Sequence, residues 1–199
     1  RKFGPPFRAL PAAALARPRS MSAKVKFTVK VSEEAPSQTF TVEVRPDWAP
    51  LGAERFLTLC GNGYFEQCRF HRVVPGFMVQ FGLAADPQVY QQWGTKPIKD
   101  DPVKESNQRG TLSFAMRGPD TRSTQIFINF ADNQALDSQG FSPLAKVVEG
   151  MDVIDQFYGG YGDYPPRGSG PEPDRIKQEG LAYVSGFPKL SYIEKVEML

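Results

Sequence analysis

A two-residue alternation constrains this chain more than any other feature. Val25, Phe27, Val29 and Val31 alternate with Lys24, Lys26, Thr28 and Lys30. Successive side chains of a strand point to opposite faces, so the pattern predicts a half-buried strand. Phe40, Val42 and Val44 alternate with Thr39, Thr41, Glu43 and Arg45 in the same way. Glu33-Glu34-Ala35-Pro36-Ser37 between the two runs reads as a hairpin loop. A helix follows: Pro50 suits its first turn, Ala53, Phe56, Leu57 and Cys60 share one face, and Gly61 provides a stop. Residues 69–82 and 110–129 are strand-like, with a polar, proline-containing excursion between them. Leu144 to Val148 reads as another strand, and Gly150 opens a short helix with Met151, Ile154 and Phe157 on its apolar face. Residues 174–186 fit a further short helix, and Leu190, Tyr192 and Val196 a final strand. Strands dominate over two principal helices. That balance predicts a mainly β fold, a closed antiparallel barrel capped by helices.

A chain of 199 residues fits one domain with appendages, here a domain over 24–199 behind a separate segment at 1–23. The formal net charge of +2 conceals an asymmetry. Residues 1–32 hold eight Lys or Arg and no acid, so the remainder carries 16 basic against 22 acidic side chains. The Pro/Ala/Arg-rich, acid-free leader fits an organellar transit peptide or its remnant, mitochondrion before plastid; the alternative is a cytoplasmic chain with a basic tail. Such a composition buries too little apolar surface to order itself. An ordered arm at 1–23 is therefore expected to grip a larger protein assembly. No apolar run approaches the roughly 20 residues that span a bilayer. The body lacks a basic patch with interleaved aromatics, which leaves RNA contact by the arm as the one nucleic-acid reading. Cys60 and Cys68 are too few for a disulfide framework and read as small buried hydrophobes. His71 is the single histidine, and with no Cys/His cluster at ligand spacing neither a metal nor a cofactor is expected.

Two segments carry the chemistry. Phe70-His71-Arg72-Val73-Val74-Pro75-Gly76-Phe77-Met78-Val79-Gln80 sets one permanently charged guanidinium among apolar side chains, with an amide two residues beyond Met78. Gly110-Thr111-Leu112-Ser113-Phe114-Ala115 runs through Gly118-Pro119 to Gln125-Ile126-Phe127-Ile128. Read singly, Arg72 is a surface salt-bridge residue, Gln80 caps an exposed strand edge, and the apolar side chains are core.

Together the two segments closely resemble the signature segments of cyclophilins, the peptidyl-prolyl cis-trans isomerases, and the resemblance runs roughly from Val25 to Met198. It implies eight strands, and proline-containing peptides or proteins as clients. It also implies that Arg72 is the catalytic donor and that Gln80 holds both the arginine and the substrate carbonyl. Phe77, Met78, Phe127 and Leu136 match the proline pocket, and Ala115 and Gln125 match the adjoining substrate groove. Met116 sits where cyclophilins usually have an asparagine whose backbone amide holds a peptide carbonyl, a duty that methionine can still serve. His71 points to the opposite strand face from Arg72 and resembles the family's structural histidine.

Besides Met116, the chain departs from the family at two pocket positions. Ala135 stands where the usual tryptophan would be, beside the retained Leu136, and Phe141 falls near the usual histidine after a one-residue insertion. Loss of an indole N–H and its aromatic wall predicts weak binding of cyclosporin-type ligands. The Phe141 change makes the pocket more apolar. The Gly/Pro/Tyr-rich loop at about 159–173, with Tyr161 and Tyr164, exceeds the compact family pattern and reads as a partner surface or a plain exposed loop. The expected function is an isomerase that assists protein folding, with reduced activity. The alternative is a weakly active or inactive cyclophilin-fold accessory subunit, docked on an organellar complex through its arm.

Overall fold

The computed structural model describes residues 22–199. The presequence, docking-arm and RNA-contact readings of residues 1–23 lie outside the described residues, but for the last two positions. The alternating runs form β1 (Ala23–Lys30) and β2 (Ser37–Val44), paired antiparallel with Phe27 opposite Phe40. α1 (Pro50–Gly61) buries Ala53, Phe56, Leu59 and Cys60. Then follow β3 (Arg72–Val74), β4 (Met78–Phe81), α2 (Pro87–Trp93), β5 (Thr111–Phe114) and β6 (Ile126–Asn129). A 3-10 segment (Gln134–Gln139) leads into β7 (Pro143–Glu149), α3 (Met151–Ile154), α4 (Pro173–Glu179), α5 (Leu181–Val184) and β8 (Tyr192–Met198).

The eight strands pair antiparallel in the order β3-β4-β6-β5-β7-β2-β1-β8. The two ends of the sheet meet through an irregular run and not a full ladder. Gln67 N donates to Ile193 O (2.7 Å), Ile193 N to Cys68 O (3.0 Å) and Phe70 N to Ser191 O (3.0 Å), with a single bridge at Arg69–Tyr192. Inside, the Phe27 ring stacks on Phe40 at 4.8 Å, and Phe56, Phe65 and Phe81 surround it. Full burial of each such ring contributes about 1.5–3 kcal/mol. Cys60 and Cys68 are both free and buried in this core, and burial pushes both thiols up, Cys68 to about 12.

Several sequence expectations need correction. The stretch 69–82 is two strands, because Pro75-Gly76 turns the chain. Phe77 N donates to Val74 O (3.0 Å) and Gly76 has φ +74°, which is the geometry a Pro-Gly type II turn requires. The stretch 110–129 likewise divides into β5 and β6 around a long loop. The helix after Gly150 is one turn only, so α1 is the single long helix among the described residues. Residues 174–186 form two short helices, separated at Gly180. The polar excursion holds an unforeseen helix, α2, whose N-cap Asp86 accepts a bond from Gln88 N (2.8 Å). It buries only Tyr90, too little for an apolar periodicity to register.

The excursion also finishes α1. Ala49 offers that helix no side-chain cap; instead Asp101 accepts from Leu51 N (3.0 Å) and Gly52 N (2.8 Å). The Asp101 carboxylate lies 3.2 Å from the Arg122 guanidinium, which is 1% exposed and also donates to Lys99 O. Among the described residues no helix is long and apolar enough to cross a membrane, and no group of three His, Cys, Asp or Glu is placed to hold a metal.

Candidate active site

Strand alternation sorts the middle of the sheet into two faces. Val79, Phe81, Ile126 and Ile128 enter the barrel core. Met78, Gln80 and Phe127 therefore face the other way, out of the barrel. The register aligns them across strands: Arg72 lies opposite Gln80, Gln80 opposite Phe127, and Phe127 opposite Ser113. An arginine, an amide and a phenyl ring thus sit side by side on one outer surface.

Two loops raise walls around that row. The loop after β5 supplies Ala115 and Met116, and Gln125 returns just ahead of β6. The 3-10 segment supplies Leu136, and Phe141 follows it. The open cavity they form, of about 390 Å³, is lined by all ten sequence candidates: Arg72, Phe77, Met78, Gln80, Ala115, Met116, Gln125, Phe127, Leu136 and Phe141. Ala135, which the resemblance sets against the usual tryptophan, is exposed and is not among the lining residues.

Buried and half-buried polar groups hold the apolar wall in place. Asp137, in the 3-10 segment, accepts from Ser106 Oγ (2.6 Å), Asn107 N (2.9 Å) and Asn107 Nδ2 (2.7 Å). Asn107 Nδ2 also donates to Phe141 O (2.8 Å). Asn133 Nδ2 donates to Phe77 O (2.9 Å) and to Asn129 Oδ1 (2.8 Å). Burial works to raise the Asp137 pKa, but the Ser106 and Asn107 hydrogen bonds outweigh it and hold the carboxyl below the usual carboxylate range.

Arg72 lies on the polar side of the cavity, which Arg117, Thr121, Ser123 and Lys177 also line, with its side chain 21% exposed. Its Nη1 donates to Gln80 Oε1 (3.2 Å), and Gln80 Nε2 donates on to Gln125 Oε1 (2.9 Å). Its Nε and Nη2 both donate to Asp163, each at 2.8 Å. A guanidinium has five N–H bonds. Three are engaged here, on Nε, Nη1 and Nη2, so one hydrogen on each Nη has no partner among the described residues. Asp163 went unnoticed in the sequence reading, since one acid in a Gly/Pro-rich stretch carries no local signal. Tyr90, Tyr164, Pro173 and Lys177 are further unforeseen members of the lining. The Tyr164 ring lies 5.9 Å from the Arg72 guanidinium carbon. Tyr161 packs edge-on against Tyr158 (5.0 Å) and Phe187 (5.4 Å), so both loop tyrosines make contacts within the chain.

His71 faces away from the cavity and is 2% exposed. Burial, with the Arg72 and Lys177 charges adding to it, pulls its pKa down to about 3. The ring is neutral at working pH and has no access to the cavity.

The antiparallel barrel thus carries on its outer face a hollow with an apolar wall and Arg72 at its edge, as the resemblance to cyclophilins leads one to expect. Comparison with known proteins agrees. The family described as Cyclophilin type peptidyl-prolyl cis-trans isomerase/CLD matches residues 26–177. Peptidyl-prolyl cis-trans isomerase B of Escherichia coli (strain K12) is 37% identical over 122 residues, covering 57% of this chain and 74% of that protein. Peptidyl-prolyl cis-trans isomerase 10 of Caenorhabditis elegans is 33% identical over 135 residues, covering 65% of this chain and 81% of that protein. A crystal structure of a cyclophilin type peptidyl-prolyl cis-trans isomerase from Cryptosporidium parvum has a TM-score of 0.62 at 19% identity, over 90% of this chain and 98% of that one. That last likeness is one of fold. This chain belongs to the cyclophilin-type peptidyl-prolyl cis-trans isomerase family.

Proposed function

We propose that this chain catalyses cis-trans exchange of X-Pro bonds in peptides and proteins, with Arg72 as the catalytic donor. One observation carries the reading: a fixed guanidinium with N–H bonds unpartnered among the described residues borders a hollow lined by Phe77, Met78, Phe127, Leu136 and Phe141. Amide resonance sets a rotation barrier of about 18–20 kcal/mol. Lowering it requires neither nucleophile nor metal. The apolar hollow takes the pyrrolidine ring. As the amide twists, the nitrogen lone pair localises and becomes a better acceptor, so a charged donor binds the twisted state more tightly than the planar one. One charge-assisted hydrogen bond contributes about 1.5–3 kcal/mol, roughly one to two decades of rate. Carbonyl anchoring by Gln80 and by the backbone near Met116, in a partly desolvated groove, supplies the remainder.

The test is an exchange assay on a short proline-containing peptide. Arg72→Ala is expected to lower kcat/KM by about ten- to a hundredfold. An unchanged rate would remove the mechanism. Cyclosporin-type ligands are expected to bind weakly, because the exposed Ala135 gives them no aromatic wall. An organellar setting, mitochondrion before plastid, rests on the Arg/Ala/Pro-rich, acid-free composition of residues 1–23. Fusing those residues to a fluorescent reporter tests it, and a diffuse cytoplasmic signal would overturn it.

A further inference from the structure

We propose that Asp163 is a positioning residue for catalysis, built by the 159–172 loop to clamp Arg72. The proposal rests on the isomerase reading and adds a part to it. Asp163 takes two of the guanidinium's N–H bonds in a side-on fork, Nε to Oδ1 and Nη2 to Oδ2, each at 2.8 Å. Two parallel charge-assisted bonds fix the plane of the guanidinium as well as its place. The Gln80 bond then fixes the rotation that turns Nη1 toward the cavity.

The loop holds the carboxylate as firmly as the carboxylate holds the arginine. Tyr164 N donates to Asp163 Oδ1 (2.8 Å), and Gly170 N to Asp163 O (2.9 Å). Val73 N, on the outer edge of β3, donates to Gly162 O (3.3 Å), so the loop docks directly on the strand that carries Arg72. Gly162 has φ +64°, a backbone state open to glycine, and a Cβ on Gly168 would lie 2.1 Å from Asp163 O. Gly168 and Gly170, both close against Asp163 O, therefore serve one geometry, the close fold around Asp163. The Asp163 side chain is 11% exposed, with Arg167 Nε 3.9 Å from Oδ2 on the solvent side.

The arrangement decides between a clamp and a quench. A carboxylate that occupied every N–H would silence the arginine. Here the fork takes the Nε side, away from Gln80, and leaves one hydrogen on each Nη. A long flexible side chain becomes a preorganised donor, which is how orientation lowers a barrier.

The test compares wild type, Asp163→Asn, Arg72→Ala and the double variant in the peptide exchange assay. Asp163→Asn is expected to lower kcat by about tenfold and leave KM within about twofold, because the lost element acts on the twisted state. Added to Arg72→Ala, the same change is expected to lower the rate no further, since a residue that acts through Arg72 has no effect without it. Proton exchange at the Arg72 Nε–H, followed by NMR on the wild-type protein, gives a readout that needs no variant. It should be much slower than at Arg117, whose side chain is 75% exposed. An unchanged or raised kcat in Asp163→Asn, a further loss in the double variant, or an Arg72 Nε–H as labile as that of Arg117 overturns the clamp. An unchanged rate in Arg72→Ala overturns the isomerase reading and the clamp with it. Loss in Arg72→Ala with no change in Asp163→Asn overturns the clamp alone.

Discussion

Phe141 meets Phe127 edge-on, with ring centroids 5.6 Å apart and planes at 78°. The two rings come from different walls. Phe127 rises from β6, whereas Phe141 is delivered by the segment that Asn107 and Asp137 tie down. Edge-to-face pairs contribute about 0.5–1.5 kcal/mol beyond their burial, so each ring holds the other in place. The contact closes one side of the hollow that both rings line.

Phe127→Ala is expected to widen the hollow until it no longer grips a single ring. kcat/KM for a proline peptide should fall by about tenfold or more, largely through KM, because the lost contact is made in the planar and twisted states alike. Stability should fall by about 3–5 kcal/mol, read from urea unfolding. Wild-type KM in a folded Phe127→Ala protein would rule out this ring as a pocket wall.

Asp101 serves two masters, the start of α1 and the buried Arg122. Asp101→Ala is expected to destabilise the fold by about 3–5 kcal/mol, because it strands a buried guanidinium as well as two helix amides. Urea midpoints measure this directly. A loss under about 1 kcal/mol would show that Asp100, 3.1 Å from Arg122 Nε, suffices as the counter-charge.

Acid should unfold this protein partly through His71. A histidine whose folded pKa is about 3, against an ordinary 6.5, stays neutral when folded but binds a proton when unfolded. Stability is therefore full above pH 6.5 and drains away as pH falls toward 3. The ceiling of the effect is on the order of 5 kcal/mol. Unfolding free energies across that window should show the slope, and His71→Phe should remove it. Because the chain has one histidine, its imidazole NMR signals report the titration without assignment. Titration near neutral pH in the folded protein would refute the burial argument.

Asp137 adds a second, lower acid transition. Its folded pKa is depressed, so its stabilisation is present above the unfolded value of about 3.9 and is lost as pH falls through the folded one. Asp137→Asn should flatten the pH dependence below about pH 4 and loosen the wall that carries Leu136 and Phe141. Identical acid limbs for the two proteins would mean that the carboxylate charge contributes nothing.

Much of this protein was legible along the chain. Side-chain direction in a strand is a local property, so Val25 through Val31 and Phe40 through Val44 announced β1 and β2 without reference to anything distant. The pocket candidates were equally readable, because they fall in a few short segments whose order resembles a known family. Local pattern failed where a partner lies far off in sequence. Asp101 reaches α1 across 50 residues, and Asp163 reaches Arg72 across 91. α2 and the irregular closure at Arg69–Tyr192 were hidden for the same reason, with few apolar residues to mark them. Side-chain period is written within a few neighbouring residues, and it determined β1, β2 and the apolar faces. Which charge meets which depends on the path of every loop between them, and only the folded chain decided that Asp163 would hold Arg72.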